Sequence, residues 1–318
     1  MNAAIEFFKR NDVMEVNSMN LAVDIHITSH GSSWLWTVFC LFGVSALFHV
    51  VAYALTNSSQ KGLKKTLLVV PIFLHTIMSV AYFTMASNLG YAGAPVEFHG
   101  VTTSQNLGFR QIFYSKWISY FLGFPWVLLL IELTTRSAFS EGDLLTRLIS
   151  FFQGWIIKIL ALWVLVLALL IGTLIVSTYK WGYFSFAVAA LLLGQIYIFI
   201  NGLQAWKHSP TKLPLIAIFF STFIWILYPI AWGVSEGGNQ IQPDSEAVWY
   251  GILDLINFLV LPIILTWSAI KNLDNESFSK GWHFKKNEAV EDPEKEVGET
   301  PRHSGDTAVA PNGVPVDE

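Results

Sequence analysis

The chain has 318 residues, of which 53% are hydrophobic, 15% aromatic and 13% charged. A soluble domain carries about 25% charged residues. Half that share, with a mean hydropathy of +0.49, leaves too few charges to coat a soluble enzyme of this size and excludes a disordered chain. The net charge of −4 offers no electrostatic footprint for nucleic acid. One cysteine, Cys40, excludes an intramolecular disulfide and a cysteine-based metal cluster. Lying in an apolar run, Cys40 is expected as a small buried hydrophobe.

A membrane span needs about 20 predominantly apolar residues. Seven stretches meet this: 33–55, 66–89, 112–133, 151–176, 183–206, 213–232 and 248–270. The sequence thus predicts an all-α bundle of seven transmembrane helices. The third stretch carries Lys116 and Glu132 near its ends, and the fourth carries Lys158 near its start. Glu132 and Lys158 are expected to snorkel to the membrane interface. Ser177-Thr178-Tyr179-Lys180-Trp181-Gly182 reads as a tight interfacial turn with aromatic anchors. The loop 90–110 is long and nearly uncharged, and Val96-Glu97-Phe98-His99-Gly100-Val101 alternates loosely enough for a short hairpin strand.

The first 32 residues lack a basic region, short apolar core and cleavage site, so the first span is expected to act as its own insertion signal. One set of alternate loops holds Lys61, Lys64, Lys65, Arg136, Arg147, Lys207 and Lys212, followed by Lys271. The other set holds Glu97, Lys180, Glu236, Asp244 and Glu246, with Arg110 at the edge of the third span. The excess of lysine and arginine marks the cytosolic side, which places the N-terminus outside and the C-terminus inside. The sequons Asn57-Ser58-Ser59 and Asn275-Glu276-Ser277 then both face the cytosol, where they go unmodified. The expected organisation is an outer segment 1–32, a membrane domain 33–270 and a cytosolic tail 271–318. With its acidic stretch 288–299, the tail has too little apolar surface to fold.

The motifs narrow the choice among seven-helix proteins. The sixth span reads Trp225-Ile226-Leu227-Tyr228-Pro229-Ile230-Ala231-Trp232, and the seventh contains Tyr250-Gly251-Ile252-Leu253-Asp254-Leu255. Earlier in the chain stand Asp24-Ile25-His26-Ile27-Thr28, Arg110-Gln111-Ile112-Phe113-Tyr114, Pro125-Trp126 and Tyr179-Lys180-Trp181-Gly182-Tyr183. Over residues 20–270 this set resembles the microbial opsins. Within them it resembles the fungal opsin-related subgroup that includes the thirty-kilodalton plasma-membrane heat-shock protein of yeasts. The resemblance implies a seven-helix opsin fold and a former retinal pocket formed by Tyr120, Trp225, Tyr228, Pro229, Trp232, Asp254 and Phe258.

The family's chromophore-bearing lysine lies four residues after its seventh-helix aspartate. Here that aspartate is Asp254, and the lysine position is Phe258. No lysine precedes Lys271 in the span, and without a primary amine no Schiff base forms. No cofactor is therefore expected, and in particular no covalent retinal. With the third helix aligned on Pro125, Ser119 stands where pumps carry the proton acceptor and Leu130 where many carry the donor. Lys116 replaces an arginine there, and Tyr120 a tryptophan. Glu132 lies two residues past the donor level, about 200° around the helix.

Asp254 remains an ionisable group inside a span, where such groups are normally paired. Tyr228 and Lys116 are its expected partners. Read functionally, Asp254, Glu236, Glu246 and Lys116 are the candidates for a residual proton relay. Read structurally, Asp254 is a buried hydrogen-bonded carboxyl and the two glutamates are solvated loop residues. His49 and His75, on different spans, are expected to be packing residues with hydrogen-bond partners.

No hydrolase, nucleotide-binding or metalloprotease motif occurs, so an enzyme is not expected. The resemblance implies a non-photoactive stress protein of the plasma membrane that restrains the proton-pumping ATPase. Two other readings stand beside it: a proton or small-ion channel or transporter through the Asp254 region, and a receptor for a noncovalent ligand in the former retinal pocket. The expected surroundings are the lipid bilayer, with homo-oligomers left open and no nucleic acid.

Overall fold

The computed structural model describes residues 12–56, 62–136, 143–209 and 211–274. The sequons, Lys61 and the acidic stretch 288–299 lie outside the described residues, as does the tail beyond residue 274.

Seven helical segments are long and apolar enough to cross a membrane: Ser29–Leu55, Lys64–Ala86, Tyr114–Thr135, Leu145–Leu174, Lys180–His208, Leu213–Val234 and Pro243–Lys271. They are referred to below as the first to seventh spans. Each coincides with a stretch expected from hydropathy, but the ends differ. The third span starts at Tyr114 because Ile112 and Phe113 belong to a strand. The fifth starts at Lys180 and so takes in half of the expected interfacial turn. The seventh begins at Pro243, whose fixed φ and missing N–H suit the first turn of a helix.

Large apolar residues such as Val44, Leu47, Phe186 and Phe223 are exposed along the bundle. Lipid tails are as apolar as those side chains, so their exposure there carries no penalty. Cys40, expected to be buried, also lies exposed on the first span; its small size gave no sign of which helix face it occupies.

Prolines inside the spans leave carbonyls without helical donors, and the fold supplies substitutes. Pro125 deprives the Phe121 carbonyl, and the indole of Trp163 on the fourth span donates to it at 2.8 Å. Pro229 deprives the Trp225 carbonyl, which takes the Tyr228 N–H at 3.2 Å in a tightened turn. That turn divides the sixth span into Leu213–Ile224 and Leu227–Val234. In the seventh span, a π-helical segment, Leu255–Val260, precedes Pro262.

The loop between the second and third spans forms an antiparallel hairpin of β1 (Tyr91–Pro95) and β2 (Phe109–Phe113), in register Tyr91↔Phe113 to Pro95↔Phe109. The alternating stretch Val96–Val101 is therefore not a strand. It belongs to the excursion between the strands, where Val101 N–H donates to the Asn239 carbonyl. Asp24 ties this excursion to the N-terminal segment. Its carboxylate accepts from Thr103 Oγ1 (2.5 Å), Phe109 N–H (2.8 Å) and Leu107 N–H (3.0 Å). Burial alone would raise the Asp24 pKa, but the bonds from Thr103, Phe109 and Gly108 outweigh it and hold the carboxyl below its usual value.

Toward the end of the bundle away from the hairpin, Lys158 Nζ donates to Glu132 Oε2, and both side chains are buried. The expected snorkelling of both groups is thus overturned. Each charge finds its counter-charge on the neighbouring helix, so neither has to reach the interface. Removing one member of a buried pair strands the other, at a cost of about 3–5 kcal/mol, whereas a well-packed apolar replacement of both is near neutral. Glu132→Ala should therefore lower the unfolding midpoint of the detergent-solubilised protein sharply, and Glu132→Leu with Lys158→Met should restore most of it.

Candidate functional site

Two buried polar groups lie one above the other between the third, sixth and seventh spans. Nearer the hairpin is an ionic cluster. Lys116 Nζ donates to Glu236 Oε1 and to Glu246 Oε1, each at 3.0 Å, and lies 3.7 Å from the centre of the Tyr250 ring. Arg110, from β2, donates to Glu246 Oε2 at 2.7 Å and to Asn239 Oδ1 at 2.8 Å. Tyr250 donates to Glu236 Oε2 at 3.3 Å. All of these side chains are buried, so the expectation of two solvated loop glutamates fails. The hairpin and the turn between the sixth and seventh spans fold over them, and Asn239 joins the two by donating to the carbonyls of Phe98 and Val101.

Asp254 occupies the second group. Tyr82 donates to its Oδ2 at 2.6 Å, Tyr120 to the same oxygen at 3.0 Å and Tyr228 to Oδ1 at 2.8 Å. Tyr228 is the partner expected from sequence. Lys116 makes no hydrogen bond to Asp254, because Glu236 and Glu246 hold its ammonium. The three phenol donors satisfy both oxygens of a carboxyl group buried in mid-span. Below them, Asn257 Oδ1 accepts from Trp225 Nε1 at 2.8 Å and from the Ser221 hydroxyl, and Asn257 Nδ2 donates to the Leu253 carbonyl at 2.9 Å.

Phe258 lies one turn beyond Asp254 and is fully buried. Its ring stacks on Tyr120 at 5.7 Å and meets Phe124 at 5.1 Å, and Phe124 in turn meets Trp225 at 5.5 Å. Of the residues assigned to the pocket, Tyr120 contacts Tyr228, Asp254 and Phe258, and Trp225 joins them through Phe124 and Asn257. Pro229 acts through the backbone turn described above. Trp232 belongs to another aromatic group: it stacks on Phe184 at 5.5 Å and donates to Thr173 Oγ1 at 2.8 Å.

Among the described residues, each buried lysine has a carboxylate partner: Lys116 with Glu236 and Glu246, Lys158 with Glu132, and Lys180 with Glu97. Ser119, at the acceptor position, donates to the Lys116 carbonyl. His49 and His75, taken singly in the sequence, have ring centres 5.2 Å apart and share Ser45: His49 Nδ1 bonds its carbonyl and His75 Nδ1 its hydroxyl. No cluster of three or more metal-ligating side chains occurs among the described residues.

Residues 30–272 match the family described as bacteriorhodopsin-like protein. The chain belongs to that family. It is 38% identical to the 30 kDa heat shock protein of Saccharomyces cerevisiae over 95% of this chain and 93% of that one. It is 36% identical to the opsin-like protein carO of Fusarium fujikuroi over 84% and 83%. Among solved structures, a light-driven proton pump from Leptosphaeria maculans superimposes with a TM-score of 0.63 at 21% identity, covering 80% of this chain and 99% of that one. Halorhodopsin, a light-driven chloride pump, superimposes with a TM-score of 0.63 at 16% identity, covering 78% and 98%. At these identities the two structures speak for the fold alone.

Sequence reasoning missed Tyr82, and saw Tyr250 and Arg110 only as parts of motifs. Tyr82 and Arg110 are single polar residues within or at the edge of apolar stretches, and no spacing along the chain connects them to Asp254 or Glu246; Tyr250, one helical turn from each of those acids, was the legible one.

Two measurements test this bacteriorhodopsin-like site. Asp254→Ala leaves three phenol hydroxyls without an acceptor, at about 1–3 kcal/mol for each unsatisfied group, and should lower the melting temperature strongly. Asp254→Asn keeps an acceptor oxygen and should be mild; equal losses for both variants would mean that the cage requires the charge itself. The second concerns Glu236. Burial pushes its carboxyl up, Lys116 opposes the rise and Glu246 adds to it, leaving it at about 7 against an ordinary 4.5. The folded state thus holds this proton more tightly than the unfolded state. The resulting stabilisation is complete below about pH 4.5 and is lost as pH rises through about 7. Melting temperature should fall across that window, and Glu236→Gln should flatten the fall.

Proposed function

We propose that this member of the family is a non-photoactive, non-enzymatic opsin-fold protein of the plasma membrane, with its hairpin end outside. In this reading it acts in stress tolerance through interaction with a membrane partner, of which the proton-pumping ATPase is the leading candidate. The observation that carries the reading is the packing of Phe258. The rhodopsin family normally binds retinal, and attachment requires an amine. At the position the resemblance assigns to that amine, a phenyl ring is wedged between Tyr120 and Phe124. The buried lysines elsewhere are held in ion pairs, so the residues present do not fit a covalently bound retinal. The carboxylate acceptor of a pump is replaced by Ser119. The identity to a relative named as a heat shock protein supports the stress role, and the basic residues of the opposite loops support the orientation.

Ion conduction is the second reading, favoured by a small cavity of about 20 Å³. Tyr82, Gln111, Lys116, Glu246 and Tyr250 are among its lining residues. That volume accommodates roughly one water. Tyr82 both lines the cavity and donates to Asp254, so the cavity borders the ionic cluster and the phenol cage alike. The aromatic packing at Phe258 argues against the third reading, a ligand receptor.

Three experiments separate these readings, and a fourth tests the orientation. Incubation with all-trans retinal followed by borohydride reduction should leave no adduct after denaturation, and a visible pigment would refute the non-photoactive assignment. Liposomes holding the purified protein should show no proton flux; flux abolished by Asp254→Asn would favour conduction. Affinity purification from heat-stressed cells should recover the ATPase, and protease added outside sealed cells should spare the C-terminal tail.

A further inference from the structure

A groove of about 600 Å³ opens on the outer surface of the bundle between the sixth and seventh spans. Leu227 forms part of one wall. Val248, Trp249 and Ile252 form the other, and Asp244 and Ser245 stand at its hairpin end. Ser245, Val248, Trp249 and Ile252 follow at helical spacings of three and four, which puts them on one face of the seventh span. Val248 and Ile252 are exposed and Trp249 is half-buried. Between membrane-spanning helices this face meets lipid.

The chemistry of the groove selects among lipids. Its walls are apolar, and its polar groups sit at one end, at the first turn of a span, where the membrane boundary lies. From Asp244 to Leu253 the helix rises roughly 14 Å, enough for a fused sterol ring system to lie along it. Asp244 is fixed in place. Its Oδ1 accepts the Thr28 N–H at 2.7 Å and its Oδ2 the Thr28 hydroxyl at 2.5 Å, and any side chain at Gly31 would collide with it. A phosphate head seated there would meet a like charge. A neutral hydroxyl would instead find spare acceptor sites on the carboxylate, which offers about four, and a neighbouring serine. The indole of Trp249 presents a planar apolar wall suited to a flat, rigid ring system. Rigidity also lowers the entropy lost on binding.

We propose that this groove is a sterol-binding site, with the sterol hydroxyl on Asp244 and Ser245 and its rings along Val248, Trp249 and Ile252. It lies on the outside of the bundle, apart from the Asp254 cage, and holds whether or not retinal binds.

The test uses the full chain in phospholipid nanodiscs with a diazirine-bearing sterol probe, adducts being mapped by peptide mass spectrometry. Adducts should concentrate in residues 244–253. Unlabelled 3β-hydroxysterol should compete at least roughly tenfold better than its 3α epimer, the worth of a hydrogen bond to a charged acceptor. Ile252→Trp, which fills the groove, should abolish labelling without lowering the melting temperature, whereas Ile216→Trp, on an exposed position of the sixth span, should leave it intact. Should Ile252→Trp fail to fold, Val248→Phe takes its place. Adducts spread evenly over all spans, equal competition by phospholipid, or crosslinks joining two copies through residues 244–253 would each overturn the proposal.

Discussion

Hydrocarbon offers no hydrogen bonds, so the charged groups that this chain carries into the bundle have to be satisfied by other parts of the same chain. The main features of the interior follow from that constraint. Lys158 is balanced by Glu132, Lys116 by Glu236 and Glu246, and Arg110 by Glu246 and Asn239. The carbonyl that Pro125 leaves without a helical donor is met by an indole from the next helix. These contacts join elements far apart in sequence and set how the helices face one another. In an apolar solvent, packing and hydrogen bonds between helices take over the task that the hydrophobic effect performs in water.

Charge balance around the seventh span follows from the same constraint. Two cations, Arg110 and Lys116, face three acids, Glu236, Glu246 and Asp254. A buried uncompensated charge is expensive, and the two acids without a cation of their own, Asp254 and Glu236, are handled differently. Asp254 is surrounded by three phenol donors that satisfy its oxygens without a cation. Glu236 shares Lys116 with Glu246 and is displaced toward its protonated form. The two acids thus differ in their surroundings: Glu236 sits in an ionic cluster, Asp254 in a cage of neutral hydroxyl donors.

Phe258, Tyr120 and Phe124 contact one another where the family resemblance places the attachment point, and Asn257 holds the Trp225 indole and Ser221 just beneath them. The outer surface is less uniform than a lipid-facing wall has to be. Most of it is smooth and apolar, but the groove beside Trp249 ends on a fixed carboxylate and a hydroxyl, and that asymmetry gives it a direction along the membrane normal.

The sequence by itself determined the number of spans, the bacteriorhodopsin-like fold and the central place of Asp254, Tyr228 and Phe258. Those properties are written in local patterns: runs of about 20 apolar residues, an acid four residues before a phenylalanine, and aromatics at fixed spacing around Pro229. Helix ends were less legible, since Ile112 and Phe113 are as apolar as a span but pair with Tyr91 and Ala92 as strand. What only the tertiary structure decided were the partners. Tyr82 and Asp254 are 172 residues apart, and Lys116 and Glu246 are 130 apart. Glu132 and Lys158 read as interfacial charges until their helices are placed side by side. A one-dimensional pattern records which face of a helix is apolar. It does not record which other helix supplies the counter-charge, because that depends on how the spans pack in three dimensions.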